Sequence, residues 1–470
     1  MFNLLGTLTA LADINRCSRW RLIVIAALCG APMSACTTSV KPVTVVGVEI
    51  AGSLGDGEVR FLGDIGAAWT RIAAVWWADV EPMEGQRNWD ALRWQEVMLE
   101  QSNAQGVQAV LVIRGTPVWA QQYDGVSCGP ISRHKLDAFS SFVADLVARY
   151  SVAPYHVKYW EIGNEPDIDR KLVAPDSLWG CWGDESDTYY GGAYYAEMLT
   201  HVYPRIKQVA ADANVLIGGL VLDCDPTIAE GCPDEQRRRP ARFLEGILRA
   251  GGGTYFDGVS FHAYDYYDGE LGRYSNRNFA SASHTTGPVS IAKTNYIREL
   301  LQRYAVDGKF IMNTETALLC GGCSEPQSPA FELTKASYAA QSHIAATAMG
   351  LRANIWFRLA DWMSTSLITS DMTLLPAYTA TQVAASFLAG ATYSQTLTYA
   401  TAGNVVQRYI FTREGKPLWA VWSTDGITQT MLLPSQPARV LDMFGQPVEL
   451  SASDRLELRP TESGVYYVTW

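Results

Sequence analysis

Two glutamates have the type and the setting to do chemistry. Glu165 stands in WEIGNEPD (160–167), between Asn164 and Pro166, and Glu315 stands in NTETAL (313–318). Each closes an apolar run that reads as a buried strand. Two carboxyls brought to one pocket can cleave a glycosidic bond: one protonates the leaving oxygen, and the other attacks the anomeric carbon or activates a water. Direct attack retains configuration and needs the two groups roughly 5–5.5 Å apart. This chemistry requires neither a metal nor an organic cofactor, and none is expected.

A scaffold must bring residues so far apart in sequence to one place. From about Val43 onward, strand-like apolar runs alternate with amphipathic helical stretches, as in βαβ units of a parallel sheet. The strand candidates cover 43–50, 70–76, 108–115, 157–166, 214–222, 256–264, 309–318 and 352–359. Several are unbroken apolar runs, as strands buried on both faces require. Between them, HKLDAFSSFVADLVARY (134–150) puts Leu136, Phe139, Phe142, Val143, Leu146 and Val147 on one helical face, and TNYIRELLQRY (294–304) is patterned likewise. Eight such units over about 350 residues predict an α/β fold, a (β/α)8 TIM barrel. An open doubly wound sheet would carry a glycine-rich phosphate turn after the first strand, but GSLGDGE (52–58) lacks that spacing.

Catalytic groups of such barrels lie at the C-terminal strand ends. The fourth and seventh strands therefore aim Glu165 and Glu315 across the mouth. Glu161, four residues before Glu165, faces the same way but deeper at a strand's period of two. It reads as a structural carboxylate paired inside the barrel, with an arginine a natural partner. Glu81, Asp167 and Asp169 read as loop charges. After roughly Gly390 the texture changes to short strands broken by Gly and Pro, which predicts a barrel over 36–390 and a small sandwich-like all-β domain over 391–470.

Taken in order, these motifs resemble glycoside hydrolase clan A, and within it the neighbourhood of family 39. The resemblance covers residues 43–390 and is carried by the Asn-Glu-Pro of the fourth strand, FHAY (261–264) on the sixth and Glu315 on the seventh. Arg71, WADVEPMEGQRNWDALRW (77–94) and TPVWA (116–120) add to it. It implies Glu165 as general acid/base and Glu315 as nucleophile. On that basis Arg71 would hold Glu315 ionised, and Asn164 would hydrogen-bond the sugar 2-OH. His262 and Tyr264 would position Glu315 and the sugar; the blander role for His262 is that of a satisfied core histidine. Trp119 and Trp362 are the first choices for stacking on sugar faces, with Trp77, Trp179 and Trp182 as further loop candidates. The clan's eighth-strand tryptophan would be Trp356 or Trp362. The third strand ends RGTPVW, with no histidine where the clan often has one.

The rest of the composition narrows the setting. The formal net charge is −11 with no basic patch, so nucleic acid is not an expected partner. The 15 Trp and 23 Tyr suit both core filling and sugar binding. Arg16, Arg19 and Arg21 precede the apolar Leu22–Met33 stretch and then Met33-Ser34-Ala35-Cys36, a pattern too short to span a membrane and similar to a lipoprotein signal over 1–35. Cleavage would leave Cys36 lipidated; the alternative is an ordinary secretory signal cleaved nearby. Six further cysteines suit an exported disulfide framework. Cys224 with Cys232 and Cys320 with Cys323 are local pairs, which leaves Cys128 with Cys181. The expectation is a monomeric, envelope-anchored or secreted retaining glycosidase acting on a polysaccharide or oligosaccharide. A carbohydrate-binding barrel without catalysis, an inverting hydrolase and a transglycosylase are the alternatives.

Overall fold

The computed structural model describes residues 44–470 except 53–54, 178, 229–231, 233–238, 325–326, 363, 402–403, 425–426 and 461. The expected signal over 1–35 and Cys36 lie outside the described residues. Pro42–Trp470 is one compact unit.

Eight parallel strands close on themselves: β1 (Val46–Val48), β2 (Trp69–Trp76), β3 (Gln108–Arg114), β4 (Tyr159–Asn164), β5 (Asn214–Leu220), β6 (Gly258–Tyr267), β7 (Phe310–Leu319) and β8 (Asn354–Trp356). Each pairs with its sequence neighbours, and β8 pairs with β1 to complete the barrel. A helix follows every strand: α1 (Val59–Ile65), α2 (Arg93–Ala104), α3 (Leu136–Tyr150), α4 (Gly192–Val209), α5 (Phe243–Arg249), α6 (Ser290–Arg303), α7 (Pro329–Ala348) and α8 (Pro376–Leu388). The apolar stripe expected on α3 is buried along its length. Helix α7 begins at Ser328, whose hydroxyl accepts from the Phe331 amide, with Pro329 in the first turn, where its missing N–H costs nothing.

Alternation along the strands builds the interior in layers. Trp69, Val110, Tyr159, Leu216, Met312 and Ile355 form a separate apolar cluster that plugs the N-terminal end of the barrel. Two residues further along β2, β4 and β7 come Arg71, Glu161 and Thr314, all buried, with Arg71 and Thr314 both donating to Glu161. The apolar floor thus ends where the polar mouth begins.

The chain then forms β9 (Thr392–Thr401), β10 (Asn404–Arg413), β11 (Lys416–Ser423), β12 (Gln429–Leu432), β13 (Arg439–Leu441), β14 (Arg455–Leu458) and β15 (Tyr466–Thr469). An antiparallel sheet ordered β9-β10-β11-β15-β13 faces the β12–β14 pair. Strand β11 serves both faces: Leu418, Ala420 and Trp422 join the barrel's core, while Trp419 and Val421 join the core between the two sheets. Phe387 of α8 meets Tyr467 with ring centroids 4.6 Å apart, so the β domain is fastened to the barrel through an apolar seam. The three expected disulfides are present, Cys128–Cys181, Cys224–Cys232 and Cys320–Cys323.

Candidate active site

Both key carboxyls reach the mouth because their strands break the simple alternation. On β4, Tyr159 faces the barrel interior while Trp160 and Ile162 face the helices. Strict alternation would turn Asn164 outward. Instead Gly163 has φ 91° and Glu165 φ 47°, so Asn164 and Glu165 both line the cleft. A non-glycine residue in the left-handed region costs roughly 1–2 kcal/mol, which the surrounding structure must supply. The Glu165 amide donates to Gly219 O at 2.9 Å.

On β7 the device is a bulge. Phe261 pairs with Asn313 and His262 with Glu315, which leaves Thr314 as an extra residue. Thr314 points inward, its hydroxyl donating to Glu161 Oε1 at 2.9 Å. The phase slip brings the next side chain, Glu315, to the same interior, where the regular alternation would have turned it to the helices.

Arg71 is the hub. Its Nε donates to Glu161 Oε2 at 2.7 Å, Nη1 to Glu49 Oε2 at 3.1 Å and to Glu315 Oε1, and Nη2 to Asn164 Oδ1. Burial works against the guanidinium charge, but Glu161, Glu315 and Glu49 outweigh it and keep it protonated. Glu315 Oε2 accepts from the Tyr264 hydroxyl. His262 Nδ1 lies 2.8 Å from Glu165 Oε1 and 3.3 Å from Glu315 Oε2. Burial pushes the His262 ring down to about 4, despite the pull of Glu315, so it is neutral near pH 7. With two carboxyl oxygens facing Nδ1, the proton belongs on that nitrogen. The ring fits because β5 has Gly219 beside it, where a Cβ would stand 2.1 Å from Nε2.

The two glutamates differ in their settings. Burial raises Glu165 to about 7, with Arg71, Arg114 and Lys293 pulling the other way. Glu315 has a guanidinium on one oxygen and a phenol on the other. One oxygen of each and a His262 ring nitrogen lie within 4.8 Å of one another. Three such donors could surround a cation, but the fixed guanidinium charge on Glu315 opposes a second one there. The arrangement can donate a proton from Glu165 and offer a carboxylate from Glu315 to a carbon held between them.

The cleft, about 300 Å³, is flanked by Trp179 and Trp362 and also lined by Glu49, Arg114, Tyr264 and Arg358. Trp362 stands edge-on to Phe357 at 5.4 Å. Trp356 is buried instead, its Nε1 donating to Thr365 O at 2.8 Å. Trp119 is not among the cleft's lining residues: its Nε1 donates to Glu81 O at 3.0 Å and its ring meets Trp77 edge-on. Trp77 itself is core. Trp182 lines a smaller neighbouring cavity of about 60 Å³ that shares Trp179 and Arg114 with the cleft. Two of the three expected loop charges are buried. Glu81 accepts from Trp77 Nε1, Gly85 N and Arg87 Nε, and Asp167 accepts from the Val221 and Leu222 amides, both at 2.9 Å. Glu49 and Arg114 were missed by the sequence reading, although each is a charged residue at the end of an apolar strand run, VVGVEI and VLVIRG.

No family model matches the sequence, and no curated protein matches it. Solved structures do match. A family 39 glycoside hydrolase from the gut symbiont Bacteroides cellulosilyticus WH2 is similar with TM-score 0.66 at 18% identity, covering 92% of this chain and 81% of that one. An exported protein of Bacteroides fragilis gives TM-score 0.63 at 12% identity, covering 92% and 98%. A family 30 endoxylanase from Clostridium papyrosolvens C71 gives 0.58 at 12% identity, covering 91% and 96%. At these identities the likeness is one of fold, and it extends through the β domain as well as the barrel.

Proposed function

We propose that the protein is a retaining glycoside hydrolase with Glu165 as general acid/base and Glu315 as nucleophile. The observation that carries this reading is the pair of carboxyl oxygens within 4.8 Å, in one buried mouth but in unlike electrostatic settings. A separation of about 5–5.5 Å suits direct attack, whereas an inverting reaction needs roughly 6.5–9.5 Å for an intervening water.

The steps follow from the contacts. A Glu315 oxygen bonds to the anomeric carbon as the bond to the leaving oxygen breaks, and Glu165 passes its proton to that oxygen. The negative charge on Glu315 is thereby removed, so Glu165 is left as a carboxylate. It takes a proton from water, whose oxygen bonds to the anomeric carbon and releases Glu315 as a carboxylate. Arg71 and Tyr264 hold the nucleophile in place, and Asn164, oriented by Arg71, offers its amide to the sugar. Trp179 and Trp362 are the stacking surfaces.

The substrate of this reading is a polysaccharide or oligosaccharide outside the cytoplasm, in the cell envelope or beyond it. The three disulfides and the fold shared with an exported protein of Bacteroides fragilis support that setting. Anchoring through a lipid on Cys36 belongs to the same proposal.

The test is mechanism-based trapping. A panel of 2-deoxy-2-fluoro glycosides with good leaving groups should release one equivalent of leaving group and leave a glycosyl adduct on the peptide containing Glu315. Product of inverted anomeric configuration, or an adduct unaffected by Glu315→Gln, would overturn the assignment.

A further inference from the structure

Behind the catalytic pair lies a closed ring of contacts that the reaction itself does not use. Lys293 belongs to α6, on the outside of the barrel, yet it is only 4% exposed. Its Nζ reaches between the end of β5 and the middle of β6 and donates to Val221 O at 2.7 Å and to His262 O at 2.8 Å. A buried ammonium is costly unless its charge is answered. Here Asp223, Asp167, Asp265 and Glu165 face it, while burial lowers it to about 8.

From the other side, Asp167 is two residues beyond Glu165 and its carboxyl takes both the Val221 and Leu222 amides at 2.9 Å. Those two amides converge because Leu222, a fully buried non-glycine residue, is held at φ 46°. Strain of this kind persists only where neighbours over-determine it. The ring therefore runs from Glu165 along the chain to Asp167, across to Val221 and Leu222, through Lys293 to the His262 carbonyl, and through the His262 ring back to Glu165 at 2.8 Å. It joins the fourth, fifth and sixth barrel segments through one ammonium.

We propose that Lys293 is a positioning residue for the catalytic pair: it locks His262 and Glu165 to one another and contributes positive charge beside the acid, without touching substrate. This rests on the assignment of Glu165 as acid. The ionisable groups that face Glu165 are Arg71 from β2, Arg114 from β3, Glu161 from β4, His262 and Tyr264 from β6, Glu315 from β7, Asp167 from its own loop and Lys293 from α6. Arg71, Arg114 and Lys293 favour its ionised form, and Lys293 is the one of these three that comes from outside the barrel wall.

The experiment is Lys293→Met in the full chain, read first by the carbon-13 titration of Glu165 in glutamate-labelled protein, the resonance being identified by its loss in Glu165→Gln. Removing the cation should move the Glu165 midpoint upward, and an unmoved midpoint overturns the proposal whether or not a substrate is known. If Lys293→Met fails to fold, Lys293→Gln, which keeps a donor but no charge, takes its place under the same criterion. With a substrate in hand, kcat should fall roughly tenfold to a hundredfold with KM little changed, and the alkaline limb of the rate profile should move up with the midpoint. A wild-type chain that turns over no glycoside while its Glu165 midpoint still responds to Lys293→Met would remove the catalytic reading and keep the positioning one.

Discussion

At the scale of the residue, the site depends on Arg71. Glu49, Glu161 and Glu315 share its guanidinium, and all four side chains are buried. Breaking a buried ionic cluster by removing one partner costs about 3–5 kcal/mol, because the remaining charges stay desolvated. Arg71→Met should therefore lower the melting temperature by many degrees, as well as abolish turnover, in a calorimetric scan at neutral pH. A variant that melts with the wild type would show that the carboxylates do not depend on it. The second prediction concerns Glu165. With its midpoint near 7, the acid is present below that pH and lost above it. Activity should fall as pH rises through about 7, and Glu165→Gln, assayed on a substrate whose leaving group needs no proton, should show glycosylation without that limb. Most of these roles are legible in the sequence because each is a polar residue in, or just after, an otherwise apolar strand. Arg71, Glu161, Asn164, His262, Tyr264 and Glu315 all have that signature. Glu49 and Arg114 have it too and could have been read the same way. The tryptophans do not: an indole in a loop looks the same whether it faces sugar or, like Trp119, packs on another ring.

At the scale of the element, two small departures from regular strand geometry decide which side chains meet. The bulge at Thr314 is one residue long: Met312, Thr314 and Glu315 all face the interior, so the one extra residue adds a hydroxyl donor for Glu161 beside Glu315 without a turn to the helices between them. The left-handed turn at Glu165 is the second, and Gly219, whose carbonyl accepts from the Glu165 amide, also leaves the space that the His262 ring fills. An alanine there would put a methyl carbon 2.1 Å from His262 Nε2, and the ring, buried and held to Glu165 through Nδ1, has little room to relax. Gly219→Ala should cost on the order of a hundredfold in kcat, the usual penalty for a misplacement of about 1 Å, while the disulfides and the β domain stay intact. The existence of the eight strands could be read from apolar runs, and the helices from their period. The bulge could not, since NTETAL has nothing that marks one of its residues as supernumerary. The left-handed turn at Glu165 was equally hidden, because alternation by itself predicts that Glu161 and Glu165 share a face and that Asn164 does not.

At the scale of the whole molecule, the site leaves its mark on stability. Burial raises Glu165 and Asp167 to about 7 and Asp265 to about 6, and raises Glu49 as well. Unfolded, these carboxyls titrate near 4. Between about pH 4.5 and 7 the native protein therefore binds protons that the unfolded chain has released, and stability must fall as pH rises through that window. Two buried histidines oppose this: His262 is pushed down to about 4 and His343 to about 3, both by burial, so the unfolded chain binds protons there that the native state refuses. Four carboxyls against two imidazoles leave the native state the net binder. The protein should accordingly melt at a higher temperature at pH 5 than at pH 7.5, the reverse of a domain whose carboxylates are exposed and paired. Glu49→Gln, which removes one of the four without removing the acceptor for Arg71, should narrow that difference. A melting temperature that climbs steadily from pH 5 to pH 7.5 would mean that the mouth is wetter, and its carboxyls more ordinary, than their burial dictates. The same burial that makes Glu165 an acid near neutral pH thus costs the fold stability at that pH. The apolar plug beneath the mouth and the β domain fastened through Phe387 and Tyr467 are the parts of the molecule that can offset it.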